Sequence, residues 1–252
     1  MLPTRTFDEI IAEADKTLLE GWDFSFLEGR WVEETTPWDL RKRIQLFLPE
    51  VTAMLDMGTG GGEFLRSLIP LPRDTAATEA YGPNVVVARE RLEPLGVQVV
   101  DTTNGPSLPF TEKRFDLVMN RHEAFESADV FRVLKAGGRF ITQQVGGRDM
   151  MDLNRLLQDI PQGNFSFYNK DFVVAQIKSA GFQIEEELEA DVPTHIYDVG
   201  AIVVMLKVTP WQIDGFSVDR YRERLRKIHE WIDQRGRLTI GSHRFLIHAR
   251  RP

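Results

Sequence analysis

From Thr52 to Val145 the sequence alternates short apolar runs with helical patterns, and the first run ends in a cluster of glycines. The pattern predicts strands at 53–57, 74–79, 97–101, 115–120 and 139–145. Helices are expected to begin near Gly62 and to cover 82–94 and 124–134. The first full one carries Val85, Val86, Ala88, Arg89 and Leu92 at helical spacing; the second is expected to end at Gly137-Gly138. Strands alternating with helices need right-handed crossovers. The expected fold class is therefore α/β, a doubly wound and mainly parallel sheet.

The flanks complete this picture. Residues 7–20 read as an amphipathic helix with Phe7, Ile10, Ile11, Ala14 and Leu18 on one face, and 37–48 as a second helix opened by Pro37. After a helix capped near Asn169, strands are expected at 182–188, at 199–208 and at 244–249. The run 199–208 is long and apolar and reads as a central strand. Residues 217–234 read as a helix with the stripe Tyr221, Leu225, Ile228 and Ile232. From these strands and strand-like runs a seven-stranded sheet behind an N-terminal helical cap is expected.

Composition narrows the function classes. The 252 residues contain no cysteine, which excludes a disulfide scaffold, a thiolate metal site and a cysteine nucleophile. Acids interrupt the first apolar stretch, so it does not read as a secretory signal. The longest apolar run, 201–206, is too short to span a bilayer. A cytoplasmic protein with no membrane partner is expected. The formal net charge is −7, but from Trp211 onward it is +5, leaving −12 for the rest. That basic segment, with Arg220, Arg222, Arg224, Arg226 and Lys227, reads as a solvated helix face. The five histidines form no metal set; His243 and His248 lie five apart on an expected strand and so point to opposite faces.

The chemistry concentrates in Leu55-Asp56-Met57-Gly58-Thr59-Gly60-Gly61-Gly62-Glu63-Phe64. Glycines at a strand-to-helix turn let a ligand approach the backbone, and a following helix N-terminus favours an anionic group. A dinucleotide fingerprint would need a third glycine where Glu63 stands, and no phosphate-cradling G-x-x-x-x-G-K-[ST] occurs. What fits is D-x-G-x-G-x-G over Asp56, Gly58, Gly60 and Gly62. Glu79 ends the next strand, 23 positions after Asp56, where a carboxylate can accept from a ribose diol.

These residues resemble the class I S-adenosylmethionine (SAM)-dependent methyltransferases, near the type 11 group. The resemblance rests on LDMGTGGGEF, Thr78-Glu79, Ser107-Leu108-Pro109-Phe110 leading to Arg114-Phe115-Asp116-Leu117-Val118, and 131–140. It implies a Rossmann-like fold and a single domain over 1–252: a cap over 1–50, a SAM-binding core over 51–148, and 149–252 completing the sheet. It also implies SAM as cofactor and S-adenosylhomocysteine (SAH) as product. Asp56, Gly58, Thr59 and Gly60 match the loop around the methionine end of SAM. Glu79 matches the acid on the ribose, and Ala80 would lie beside the adenine. Asn104, followed by Gly105, stands where relatives carry an Asp for the adenine amino group. Asn120 and Arg121 follow the fourth strand, where the family closes over the sulfonium. No Asp-Pro-Pro-Tyr type motif follows, which argues against adenine or glutamine amide nitrogens as acceptors.

Methyl transfer needs positioning more than catalytic groups. His122 and Glu123 are the candidates for proton removal. Trp22, Phe24, Trp31 and Trp38, with His195 and Tyr197, are the candidates for acceptor recognition. A small-molecule acceptor is the leading expectation. An RNA methyltransferase, suggested by the basic segment, and a non-catalytic SAM- or SAH-binding protein are the alternatives.

Overall fold

The structure, a computed structural model, describes residues 5–17, 25–105, 107–161 and 165–252. Its first half contains α1 (Phe7–Lys16), β1 (Trp31–Glu33), α2 (Leu40–Phe47), β2 (Ala53–Met57), α3 (Glu63–Arg66), β3 (Asp74–Glu79), α4 (Gly82–Leu92), β4 (Gln98–Asp101) and β5 (Phe115–Arg121). Then follow α5 (Ser127–Val133), β6 (Leu134–Val145), α6 (Met151–Leu157), α7 (Lys170–Ser179), β7 (Gln183–Ile196), α8 (Val199–Val208), α9 (Val218–Arg235) and β8 (Leu238–Arg250). No helix among the described residues is long and apolar enough to cross a membrane.

Two compact units interleave along the chain. The first comprises Met1–Thr36, Gly146–Phe167 and Ala190–His243; the second comprises Pro37–Val145, Tyr168–Glu189 and Arg244–Pro252. The strand order is β1-β7-β8-β6-β5-β2-β3-β4. Pairing is parallel for β2 with β3 and β5, β3 with β4, and β5 with β6. It is antiparallel for β6 with β8 and for β1 with β7. The sheet is thus mixed and eight-stranded rather than seven-stranded, and the run β6-β5-β2-β3-β4 is parallel as expected. The extra strand, β1, has only three residues, and its pairing with β7 is long-range in sequence.

In the second unit β3 leaves β2 on one side while β5 returns on the other. The chain order reverses there, and in open α/β sheets ligands bind beyond the carboxyl ends of strands at such a point. Two ion-pair hubs fix the strands around it. Asp116 accepts from the Thr52 hydroxyl at 2.6 Å, the Ala53 amide at 2.9 Å and Lys135 Nζ at 2.7 Å, tying the starts of β2, β5 and β6 together. Arg132 donates to the Leu108 and Phe110 carbonyls at 2.8 and 2.7 Å, holding the Leu-Pro-Phe segment beside α5. Edge-to-face pairs Phe110–Phe115 and Phe131–Phe182 complete this core.

The first unit is built around α8, which corrects the expectation of a central strand at 199–208. Asp198 caps it, accepting from the Gly200 amide at 2.6 Å. Val199, Gly200, Ala201, Ile202, Val203, Val204 and Leu206 are all buried. A helix apolar on every side has no stripe, so its period cannot be read from hydropathy. The helix expected at 124–134 is also shorter: α5 starts at Ser127, and Leu134 already belongs to β6. Gly137-Gly138 do not cap it; Gly137 donates to the Arg251 carbonyl and Gly138 accepts from the Arg251 amide, both at 2.8 Å.

Candidate functional site

The glycine loop leaves β2 at its carboxyl end. Gly58 takes φ +68°, and a side chain there would start 2.5 Å from Cβ of Glu123. Gly62 takes φ +83°, with Leu92 Cγ 2.7 Å from the corresponding point. Both positions therefore require glycine by conformation and by space. Helix α3, which follows, is a single turn opened by Glu63. It supplies little dipole, so the expected helix-terminus anion site gives way to the loop backbone itself.

Glu79 fastens that loop. Its Oε2 accepts from the Gly60 amide at 2.7 Å and its Oε1 from the Tyr81 amide at 2.8 Å. The carboxylate is 5% exposed, and each oxygen keeps a second lone pair. The Thr59 amide donates to the Thr78 carbonyl at 2.9 Å and the Gly58 amide to the Thr78 hydroxyl at 3.4 Å, so loop and β3 are joined three times. Asp56, on β2, is buried at 4% exposure. Burial pushes its carboxyl up to about 6, the Glu79 charge acting in the same direction and Arg121 against it.

A cavity of about 360 Å³ opens here within the second unit. Met57, Gly58, Thr78, Ala80, Gly105 and Glu123 line it, with Thr102, Thr103, Leu108, Ala124, Phe125 and Glu126. Of the expected cofactor residues, Gly58, Ala80 and Gly105 lie on its wall. Thr59 and Gly60 belong to the loop, Asp56 to β2 and Glu79 to the end of β3, and none of the four is on the wall. Asn104 is exposed and off the wall. Thr102 and Thr103 escaped the sequence reading, although they follow a strand's carboxyl end. The Thr102 amide donates to the Glu79 carbonyl at 2.9 Å.

The other rim comes from the β5–α5 loop. His122 takes φ +60°, unusual for a side-chain-bearing residue, and turns the chain so that Glu123 faces Gly58. Its ring Nε2 lies 3.3 Å from Gln143 Nε2. His122 as a residue is solvent-exposed. The protein packed around it, then Arg244 and Arg121, hold the imidazole far below its ordinary pKa. Burial raises the Glu123 carboxyl, and the Glu79 charge adds to that. Arg121 stacks over Phe64, its guanidinium 4.8 Å from the ring centre.

Asn120 is 1% exposed and sits level with Met57 across β2–β5. Gln144 Nε2 donates to the Glu123 carbonyl at 3.1 Å and to Asn120 Oδ1 at 2.5 Å; Thr142 donates to the same Oδ1 at 2.9 Å. The backbone carbonyl fixes Gln144 as the donor, which fixes Asn120 Oδ1 as the acceptor. Asn120 Nδ2 is then buried with no partner among the described residues.

The acceptor candidates separate. Trp22 and Phe24 lie outside the described residues. Trp38 belongs to the second unit, buried, with Nε1 donating to Gln143 Oε1 at 2.8 Å. Trp31, His195 and Tyr197 belong to the first unit, and none of the four described candidates lines the cavity. His195 lies 2.8 Å from Glu34 Oε1 and 3.0 Å from Thr239 Oγ1.

Fold, glycine loop and strand-end acid together define an α/β domain with a ligand-sized site at the carboxyl end of its parallel strands. Residues 55–142 match the family model described as methyltransferase domain. Among solved structures, it is similar to a methyltransferase candidate from Bacillus halodurans, at 18% identity and TM-score 0.60, covering 84% of this chain and 99% of that one. The YcgJ protein of Bacillus subtilis is similar at 19% identity and TM-score 0.55, covering 84% and 97%. A SAM-dependent methyltransferase from Aquifex aeolicus follows at 13% identity and TM-score 0.50, covering 96% and 97%. At these identities the likeness concerns the fold. No curated protein matches the chain.

Proposed function

We propose that this chain is a SAM-dependent methyltransferase acting on a small-molecule acceptor. The observation that carries the reading is Glu79: a buried carboxylate at a strand end, bonded to the Gly60 amide and keeping lone pairs for a diol. The residues present fit SAM. The cavity falls in the range of small-molecule sites, and its carboxylates suit a ligand that carries an ammonium and a sulfonium. When bound, SAM supplies an activated methyl group that passes to the acceptor while the C–S electron pair returns to sulfur.

The chain's own residues position and exclude. Glu79 and the Gly58–Gly60 backbone hold the nucleoside and amino-acid ends, and Phe125 and Leu108 shield the cavity wall from water. Glu123, with its raised carboxyl, is the candidate to take the acceptor's proton, and His122 shapes the turn that presents it. Ion pairs and ring contacts on the basic helix make it a weaker argument for the RNA alternative. Arg222 pairs with Asp8 at 2.6 Å and Arg224 with Asp159 at 2.5 Å, while Arg226 lies over Phe7 and Arg220 over Tyr221.

The test is incubation with methyl-labelled SAM and a bacterial cell extract, followed by separation of small molecules, RNA and protein. Label in the small-molecule fraction, lost with Glu79→Ala, supports the reading. Nuclease-sensitive label in RNA transfers it to the RNA alternative. Cofactor binding without transfer to any fraction favours a non-catalytic binder.

A further inference from the structure

Resting on the SAM reading, we propose that Glu123 is the residue by which the site tells charged cofactor from spent product, its carboxylate favouring SAM over the uncharged thioether of SAH. Three features of the second unit support this. First, Glu123 lines the cavity and lies against the glycine loop; its carboxyl carbon is 3.1 Å from where a Gly58 side chain would begin. Second, the position is built. The left-handed turn at His122 and the Gln144 bond to the Glu123 carbonyl hold the residue there.

Third, among the described residues no hydrogen-bond donor or cation partners the Glu123 carboxylate, and its charged neighbour Glu79 is of the same sign. A partly buried carboxylate without a counter-ion is unfavourable. Here that unfavourable state is relieved by a cation entering the cavity. Arg121 is turned onto Phe64 instead. SAM and SAH share the ammonium, the carboxylate and the nucleoside, and differ in the sulfonium charge and its methyl. A carboxylate that reads this charge separates the two and speeds departure of the product. A residue acting only as a base would not.

The experiment measures dissociation constants of SAM and SAH by calorimetry, at mildly alkaline pH, for the wild type, Glu123→Gln and Glu123→Asp. The wild type is expected to bind SAM more tightly than SAH. Glu123→Gln is expected to lose about tenfold or more in SAM affinity with SAH affinity unchanged or improved. Glu123→Asp, which keeps the charge at a shorter reach, is expected to fall between. SAH binding as tight as SAM binding in the wild type overturns the proposal without any variant. Equal losses for both ligands in folded Glu123→Gln also overturn it. If the wild type binds neither ligand, it is the SAM reading that fails, a result separate from either of these.

Discussion

Replacing Asp56 by Asn is expected to make the ligand-free protein more stable at neutral pH, by an amount the structure sets. Burial raises the Asp56 carboxyl from 3.8 to about 6. Between those values the folded chain keeps a proton that the unfolded chain releases. Stability therefore falls as pH rises through this window and is level above it. A displacement of roughly two pH units corresponds to about 3 kcal/mol. Asn has nearly the same shape and no charge, so it removes this pH-dependent part. The assay is urea unfolding of both proteins from about pH 3 to about pH 7.5, values that bracket the window. Every other titrating group is shared, so the difference between the two curves isolates Asp56. The variant is expected to gain up to about 3 kcal/mol on the wild type across the window. A difference that stays constant with pH would refute the reasoning, because it would mean that Asp56 is not held ionised at a cost in the folded state.

Glu79→Gln is expected to weaken SAM binding by about 1–3 kcal/mol, since an amide nitrogen cannot accept from the Gly60 or Tyr81 amide; calorimetry checks it, and unchanged affinity removes Glu79 from the site. Gly62→Ala is expected to destabilise by roughly 1–3 kcal/mol, from the left-handed backbone and the overlap with Leu92. Gly82→Ala, in the first turn of α4, meets no atom beyond its chain neighbours, but a Cβ in helical backbone directly before Pro83 is disfavoured, so a smaller loss than at Gly62 is expected; thermal unfolding of the pair compares them. At Asp116 burial pushes the carboxyl up, but bonds from Lys135, Thr52 and Ala53 outweigh this and bring it down to about 2. Its contribution is present above pH 3.8 and lost as pH falls towards 2, so Asp116→Asn is expected to destabilise at neutral pH and to converge on the wild type in acid.

What could be read from the sequence was local. Strands β2, β3, β5 and the turn after β2 announce themselves through apolar runs and glycines, and Glu79 is found by counting from Asp56. The cap at Asn169 is equally local: its Oδ1 accepts from the Phe172 amide at 2.9 Å. What could not be read depends on register or on partners far along the chain. Strand β1 exists because Trp31 and Val32 face Ile196 and His195, some 165 and 163 positions away. Thr102 and Thr103 become cavity wall because Val100 pairs with Thr78 and Asp101 with Glu79. Glu123 was legible as a strand-end acid, but its contact with Gly58 needs the backbone turn at His122, which no residue pattern signals. The charge split was real, yet the meaning of the basic helix depended on Asp8 and Asp159, which lie elsewhere in the sequence.

The buried helix α8 has a consequence for the unfolded chain. Its segment, Val-Gly-Ala-Ile-Val-Val-Met-Leu-Lys-Val, is rich in β-branched residues, free of proline and nearly uncharged. Those are the properties of a segment that stacks into cross-β ladders when it meets copies of itself. In the native first unit Lys207 points away from the core, donating to the Asp15 carbonyl at 2.6 Å and the Thr17 carbonyl at 3.1 Å. Once the unit opens, that lysine is the only charge interrupting the run, a single gatekeeper. The helical packing of α8 and the strand that its composition favours are thus two fates of one stretch, soluble when wrapped and aggregating when released.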